Sequence, residues 1–255
     1  MKFYNNNCVD ILSILDQNSI DLTITSPPYD KLRNYKGSNI FDFDSIAEQL
    51  YRVTKPGGVL VWVVADATVN GSETGSSFKQ ALGFMEKGFN LHDTMIFAKN
   101  NPMPQIYRKR YTNEFEYMFV LSKGKVHTHN AIKVPTKSAG AKAYPKNYSK
   151  GEQKRKDYRI TVKDEKIKGN IWNYTVGVKG IDKKSKFHPA AFPYQLAEDH
   201  IKTWTNEWDT VLDPMMGSGV TGVACVKNYR NYIGIEIEKE YYDKAKERIL
   251  QTHTP

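Results

Sequence analysis

The stretch Trp208–Glu236, WDTVLDPMMGSGVTGVACVKNYRNYIGIE, decides the fold of this chain. Its apolar start, Trp208–Leu212, suits a buried strand, and the glycine-rich segment Asp213–Gly219 suits a tight turn. Val220–Lys227 can form a helix, and Tyr232–Ile235 is a second apolar run suited to a strand. This order of strand, turn, helix and strand predicts a βαβ unit in a mostly parallel sheet.

Acidic residues and glycines in this unit indicate a nucleotide-like ligand. Glu236 lies 23 positions after Asp213, close to the ~20-residue offset at which a carboxylate holds a ribose hydroxyl. The pattern Gly217-x-Gly219-x-x-Gly222 also permits a dinucleotide, but Asp213 places a negative charge where a pyrophosphate would be repelled. S-adenosyl-L-methionine, which has a cationic amino-acid end and no phosphate, fits better. An ordinary strand-to-helix turn is the alternative.

A second segment, Thr25–Tyr29 with the sequence TSPPY, follows the β-branched run Ile20–Ile24. Its two prolines stop the strand and hold the backbone extended, because they lack N–H groups and restrict the preceding residues. The amino group of cytosine or adenine is a poor nucleophile, and Ser26 Oγ together with the Pro27 carbonyl can hold it by hydrogen bonds. Tyr29 offers a face for a base taken out of the duplex. A rigid surface turn or a polyproline ligand is the alternative.

Together the two segments resemble the amino-group DNA methyltransferases, in the permuted beta-class arrangement that places the catalytic tetrapeptide before the cofactor loop. Asn7–Asp16, Lys55–Gly58 and His188–Pro193 also match features of that family, so the resemblance covers nearly the whole chain. It implies a Rossmann-like fold and methyl transfer from S-adenosyl-L-methionine. The catalytic residues that it implies are Ser26, Pro27, Pro28 and Tyr29. The cofactor-binding residues that it implies are Asp10, Phe192, Asp213, Pro214, Gly217, Ser218, Gly219 and Glu236.

The rest of the chain alternates in the α/β manner. Amphipathic or apolar patterns predict helices over Phe43–Val53, Ser76–Lys87 and Lys239–Leu250, and strands over Val59–Ala65, Leu91–Ala98 and Phe115–Leu121. By the family resemblance, the last two strands are expected to form an antiparallel edge hairpin. The fold class is therefore α/β, a doubly wound, mostly parallel sheet in which both half-sites lie at the carboxyl ends of neighbouring strands.

Positive charge is concentrated in residues 122–187. This stretch has 18 Lys and Arg against 5 Asp and Glu, a net charge of +13, so the rest carries −4 of the total +9. Basic residues interleaved with aromatics are typical of a surface that contacts phosphates, and a solvated or disordered loop is the alternative. By the family resemblance, 122–187 is a target-recognition insertion between a catalytic half, 1–121, and a cofactor-binding half, 188–255. Arg155, Lys156 and Arg159 are the candidates for DNA contact.

Composition favours a soluble protein of the cytoplasm, and the family resemblance implies a bacterium or phage-infected cell. No apolar run approaches the ~18 residues of a membrane span, and the start of the chain lacks an apolar signal core. Cys8 and Cys225 are the two cysteines, too few for a disulfide scaffold or zinc cluster. The histidines lack partners at metal-site spacing, so no metal is expected.

The expected function is site-specific methylation of double-stranded DNA. Ser26 at the first position of the tetrapeptide favours N4 of cytosine, since the family usually has Asp or Asn there when it methylates N6 of adenine. Adenine methylation is the first alternative, and a DNA-binding module without catalysis is another. RNA or protein methylation is a third. Relatives often dimerise, so a homodimer is also considered. The recognition sequence and any cognate nuclease leave no readable pattern.

Overall fold

The computed structural model describes residues 1–28, 41–104, 109–143, 160–177, 187–188 and 193–252. The chain divides into two compact units, Met1–Asn130 with Asn170–Pro255, and Ala131–Gly169. Within the described residues the helices are α1 (Cys8–Ile14), α2 (Phe43–Val53), α3 (Ser76–Glu86), α4 (Tyr194–Trp204), α5 (Val220–Lys227) and α6 (Lys239–Gln251). The strands are β1 (Lys2–Tyr4), β2 (Ile20–Thr25), β3 (Thr54–Val64), β4 (Thr68–Val69), β5 (Ser72–Glu73), β6 (Asn90–Lys99), β7 (Phe115–Ser122), β8 (Lys133–Pro135), β9 (Lys142–Ala143), β10 (Ile160–Thr161), β11 (Glu165–Ile167), β12 (Ile171–Tyr174), β13 (Thr210–Asp213) and β14 (Asn231–Ile235).

Eight strands of the larger unit form one sheet in the order β1-β14-β13-β2-β3-β7-β6-β12. Neighbours pair in parallel, except that β7 runs antiparallel to both β3 and β6. The predicted mixed, mostly parallel sheet with an antiparallel hairpin is confirmed. Strand β12 pairs with β6 on the side away from β7. The edge of the sheet is therefore β12, and not the hairpin of β6 and β7.

Helix α2 illustrates how the local sequence sets these elements. Asp42 caps its start, because its carboxylate accepts a hydrogen bond from the Ser45 N–H at 3.2 Å. Its apolar face, which includes Ile46 and Leu50, is fully buried. The observed bounds equal the predicted ones for α2 and for α5, and α6 extends one residue beyond its predicted end.

The hydrophobic core between the sheet and helices α1 to α3 fixes the strands that carry the site. Trp62, fully buried on β3, meets Phe84 of α3 edge-on with ring centroids 4.9 Å apart. Its indole N–H donates to Gln80 Oε1 at 2.8 Å. Such an aromatic pair adds about 0.5–1.5 kcal/mol to the gain from burial. Strand β2 is held directly beside β3, where Thr25 pairs with Trp62.

Several elements have no counterpart among the predicted ones, chiefly β1, α1, α4 and β12. Helix α4 begins after Pro193 with no side-chain cap, so a capping side chain does not mark its start. Strand β12 has four residues and lies inside the range 122–187. The separate unit, Ala131–Gly169, is narrower than that range and contains two small antiparallel pairs, β8 with β11 and β9 with β10. No helix among the described residues is long and apolar enough to cross a membrane.

Candidate active site

The two sequence segments that suggested a site meet at one edge of the sheet. Strands β2 and β13 are parallel neighbours, with Leu22 beside Val211 and Thr23 beside Leu212. Their carboxyl ends therefore lie side by side. Thr25, the last residue of β2, donates its hydroxyl to Asp213 Oδ1 at 2.8 Å, and this bond is buried. Residues that are 188 positions apart in the chain are thus in direct contact.

The TSPPY segment leaves β2 at this point. Ser26 is half-buried, Pro27 is buried and Pro28 is half-buried. Proline has no N–H to continue a strand ladder, so the chain turns out of the sheet here. This places Ser26 and Pro27 directly after the residue that is bonded to Asp213. Tyr29, the fourth predicted catalytic residue, lies outside the described residues.

Asp213 is a buried acid with an unusual titration. It is 2% exposed, and burial, opposed by its hydrogen bonds, raises its pKa to about 6. The Met215 N–H donates to Oδ1 at 3.2 Å, and this bond and the one from Thr25 both favour the ionised form. The nearby charge of Glu236 works in the same direction as burial. A positively charged ligand would offset both unfavourable effects.

The glycine turn after Asp213 requires left-handed backbone in a crowded place. Gly217 has a φ of 50° and Gly219 a φ of 74°. Residues other than glycine rarely adopt this backbone region. A Cβ on Gly219 would lie 3.1 Å from the Ala245 Cβ of α6, and one on Gly217 would lie 3.0 Å from His188 Nε2. Arg248 of α6 secures the turn by donating to the Ser218 carbonyl at 2.6 Å.

Glu236, directly after β14, ties the turn to the next strand. Its Oε2 accepts from the Gly217 N–H at 2.8 Å and its Oε1 from the Glu238 N–H at 3.0 Å. Burial raises its pKa as well. Sequence reasoning assigned this carboxylate to a ligand hydroxyl, and in the structure it also organises the turn. Each carboxylate oxygen can accept a second hydrogen bond, so the two roles are compatible.

Asp10 lies in the first turn of α1 and is exposed. Asp10 and Glu236 both lie near Cys8. The pKa of the Cys8 thiol is raised to about 11, mainly by burial and further by these two negative charges. The start of α1 is tied to the same edge by Asn5, whose amide donates to the Glu236 carbonyl at 2.9 Å. Asp10 therefore lies on the side of the sheet where β14 ends.

The described residues bring together most of the predicted site. Ser26, Asp213, the glycine turn and Glu236 share one edge, and Pro214 is buried in the same turn. Five predicted residues lie outside the described part of the chain: Tyr29, Arg155, Lys156, Arg159 and Phe192. Sequence reasoning missed Thr25, although it begins the TSPPY segment, and Arg248, which no local pattern marks. No group of three or more His, Cys, Asp or Glu within the described residues could hold a metal ion.

The neighbouring part of this edge contains a cleft of about 510 Å³. It lies where β3 ends and β7 begins, and its lining includes Asp66, Arg110 and Tyr117. Asp66 is engaged locally, since it accepts from the Ser77 N–H at 2.9 Å and from the Ser77 hydroxyl at 2.5 Å. The cleft lies beside the strand that neighbours β2, so it adjoins the edge that carries Ser26.

Comparison with known proteins gives a consistent result. The family model described as DNA methylase of the N6/N4 type matches residues 20–247. The orphan methyltransferase M.BamHII of Bacillus amyloliquefaciens is 51% identical over 239 residues, which cover 91% of this chain and 89% of that protein. The solved complex of M1.HpyAVI with S-adenosyl-L-methionine is 28% identical with a TM-score of 0.59, over 97% of this chain and 98% of that one.

A more distant structure shares the architecture. The cytosine-N4-specific PvuII DNA methyltransferase aligns over 98% of this chain and 90% of that chain, with a TM-score of 0.71 and 19% identity. At that identity the likeness concerns the fold alone, and it agrees with the Rossmann-like methyltransferase fold expected from the sequence. The family model spans most of the chain and the M.BamHII match is extensive. The chain therefore belongs to the N6/N4 family of DNA methylases.

Proposed function

We propose that this chain is a site-specific DNA methyltransferase that moves a methyl group from S-adenosyl-L-methionine to the exocyclic amino group of a flipped base. One observation carries the proposal, the buried hydrogen bond from Thr25 Oγ1 to Asp213 Oδ1. It joins the segment suited to holding an amino group to the segment suited to holding a cationic nucleoside. Holding two reactants side by side can supply about 7–11 kcal/mol of a reaction barrier in the best cases.

The chemistry of the proposed donor site supports S-adenosyl-L-methionine. Asp213 and Glu236 are buried acids with raised pKa values, so a ligand with an ammonium and a sulfonium would stabilise their ionised forms. A pyrophosphate would be repelled by the same charges. The M1.HpyAVI structure, 28% identical, is a complex with this molecule. When bound, it supplies an electrophilic methyl group.

The proposed role of the TSPPY segment is to hold the target amino group. Ser26 Oγ and the Pro27 carbonyl accept hydrogen bonds from its two N–H groups, which favours a tetrahedral nitrogen whose lone pair is in line with the methyl group. One of the two protons leaves the nitrogen as the methyl group is transferred. Tyr29 stacks on the extruded base, and extrusion is required because the edge of a paired base is inaccessible. Pro28 keeps the segment extended. No covalent bond to the enzyme is needed.

We propose N4 of cytosine as the favoured target, because the tetrapeptide begins with Ser26. Methylation of N6 of adenine is the alternative within the family. Digestion of in vitro modified DNA to nucleosides, followed by mass spectrometry, decides between them. N4-methylcytosine is the expected product, and N6-methyladenine alone would contradict the choice of base while leaving the reaction class intact.

The proposed partner is double-stranded DNA, recognised through residues 122–187 with Arg155, Lys156 and Arg159 among the contacts. The net charge of +13 over this range supports the role, since neutralised phosphates supply much of the affinity for DNA. Replacing all three side chains with alanine is expected to weaken DNA binding and to make it less sensitive to salt. The affinity for S-adenosyl-L-methionine, measured by calorimetry without DNA, should remain unchanged.

The reaction itself is tested by transfer of tritium from labelled S-adenosyl-L-methionine to duplex DNA, compared with RNA and with protein. Label in duplex DNA is expected with the native chain and not with Ser26→Ala. Salt-dependent DNA binding without transfer by the native chain would favour the DNA-binding module. Label in RNA or protein alone would overturn the proposed substrate.

A further inference from the structure

Two exposed aromatic residues face each other at the amino ends of β13 and β14. Trp208 is 70% exposed and Tyr229 is 62% exposed, and their ring centroids lie 6.5 Å apart at an angle of 45°. Trp208 precedes β13 and Tyr229 precedes β14, whereas the proposed active site follows both strands. A strand of four residues is about 13 Å long, so the pair lies at the opposite edge of the sheet.

Both residues have a backbone conformation that aromatic side chains rarely adopt. Trp208 has a φ of 69° and Tyr229 a φ of 59°. The other described residues with positive φ, glycines apart, are Asn18 and Asn70, and asparagine tolerates this region well. Glycine would be the default at such positions. Aromatic residues here are strained, and strain of this kind often accompanies a function.

The surrounding backbone holds the two turns together. The Trp208 N–H donates to the Tyr229 carbonyl at 2.8 Å. Asn231 closes the arrangement, since its side-chain amide donates to the Trp208 carbonyl at 2.5 Å and its N–H to the Asp209 carbonyl at 2.9 Å. The rings are therefore presented on a fixed frame. Neither ring is buried, so hydrophobic packing within the fold does not account for them.

The charges beside the aromatic pair favour a cation. Glu207 is exposed and Asp209 is half-buried. Both lie near Arg230, whose pKa is lowered by burial and raised by these two charges. Arg230 is committed to the fold, because it donates to the Thr205 carbonyl at 2.8 Å and to Thr205 Oγ1 at 3.0 Å. These three groups carry a net charge of −1, and the nearby Lys227 is directed over the Tyr194 ring.

We propose that Trp208, Tyr229 and Glu207 form a docking site for a basic segment of a partner protein. An arginine or lysine side chain would lie over the aromatic rings and pair with the Glu207 carboxylate, since aromatic faces attract cations and exposed acids add to that attraction. The site is separate from the methyl-transfer edge and does not depend on the proposed function.

Trp208 provides its own reporter. The other three tryptophans, Trp62, Trp172 and Trp204, are at most 6% exposed, so quenching of fluorescence by acrylamide reports on Trp208. The probe is the peptide acetyl-Gly-Arg-Gly-Arg-Gly-amide, with the same peptide carrying Glu in place of Arg as its control. The arginine peptide is expected to lower the quenching constant at least twofold, and the glutamate peptide to leave it unchanged.

Variants separate docking from a structural role. Glu207→Gln is expected to lower the affinity for the arginine peptide about three- to fivefold. Trp208→Gly and Tyr229→Gly, followed by calorimetry because the reporter is altered, should abolish peptide binding without lowering the melting temperature, since glycine relieves the strain. Methyl transfer should be unchanged in all three. A lowered melting temperature for both glycine variants would assign the rings to folding and overturn the proposal.

Two further outcomes also contradict it. If the arginine and glutamate peptides protected Trp208 equally from acrylamide quenching, charge would play no part in binding. Sedimentation that reveals dimers of the native chain, lost in Trp208→Gly, would make a second copy of this chain the occupant in place of a basic partner.

Discussion

The two ends of strands β13 and β14 solve the same backbone problem in different ways. At the carboxyl end, the turn uses Gly217 and Gly219 for its positive φ angles, and at the amino end Trp208 and Tyr229 adopt similar angles. A Cβ at Gly219 would be crowded by α6, at 3.0–3.3 Å from Ile249 and Ala245, whereas the two aromatic side chains are largely exposed to solvent. Crowding makes glycine necessary, and open space allows a side chain that the fold itself does not need.

The largest expected effect comes from replacing Asp213, the acid at the carboxyl end of β13, in comparison with Asp209 at the amino end. Asp213→Ala removes a buried carboxylate that accepts from Thr25 and from the Met215 N–H. We expect the affinity for S-adenosyl-L-methionine to fall on the order of 100-fold, as for loss of a buried charged partner. The control is Asp209→Ala at the other end, which should change the affinity less than about twofold. Calorimetry measures both, and equal losses would remove the distinction between the two ends.

A second test compares Gly219 and Gly75, the glycines directly before α5 and α3. Both have a left-handed backbone conformation, with φ of 74° and 65°. A Cβ at Gly75 would meet nothing within 4 Å, but at Gly219 it would approach Ile249 and Ala245. Gly75→Ala is expected to lower the free energy of unfolding by about 1 kcal/mol from backbone strain. Gly219→Ala should cost about 2–3 kcal/mol, because crowding adds to the strain. Urea denaturation checks this, and similar costs would mean that crowding has no effect.

A third test uses two threonines of β2 that are both fully buried. Thr25 donates to Asp213, whereas the Thr23 hydroxyl has no hydrogen-bond partner among the described residues. Thr25→Val should lower the free energy of unfolding by about 1.5–3 kcal/mol, the range for bonds to charged groups. Thr23→Val should be neutral or stabilising, since it removes an unsatisfied hydroxyl. A cost for Thr23→Val as large as that for Thr25→Val would contradict the assigned bond.

The smallest effect is a dependence on pH. Because burial raises the pKa of Asp213 to about 6, its contribution to folding stability is present at low pH and is lost as the pH rises through 6. Binding of a cation requires the ionised form, so the affinity for S-adenosyl-L-methionine should rise with pH and level off above 7. About tenfold is expected between pH 5 and pH 8. Calorimetry at a series of pH values measures the change. Asp213→Asn should flatten most of it, and an unchanged slope in that variant would assign the titration to another group.

The fold could be predicted from the sequence where periodicity and glycine punctuation agree. Helices α2 and α5 have the predicted bounds for this reason. Helix α4 has no capping side chain, but Leu196, His200 and Ile201 are buried at helical spacing, so this pattern was present in the sequence and was overlooked. Strand β12 has four residues within a basic stretch, so it has no pattern that separates it from a loop.

The candidate site was predictable to the level of its segments. The TSPPY and DPMMGSG segments identify Ser26 and Asp213 through their residue types, because each type suits a particular chemistry. The bond between Thr25 and Asp213 depends on the order and register of β2 and β13, and Arg248 reaches Ser218 across 30 positions. Such contacts arise from tertiary packing and leave no local pattern.

Both ends of the smaller unit, Ala131–Gly169, join residues that are fixed in the larger one. On one side the Asn130 N–H donates to the Thr203 carbonyl at 2.8 Å, and on the other the Asn170 carbonyl accepts from the Ile96 N–H at 2.8 Å. Because Asn130 and Asn170 are both held in the larger unit, the segment between them can be replaced by another without changing where the chain leaves and re-enters that unit. If it reads the DNA sequence as proposed, new target specificities can evolve in this family by replacing one cassette while the methyl-transfer machinery is inherited intact.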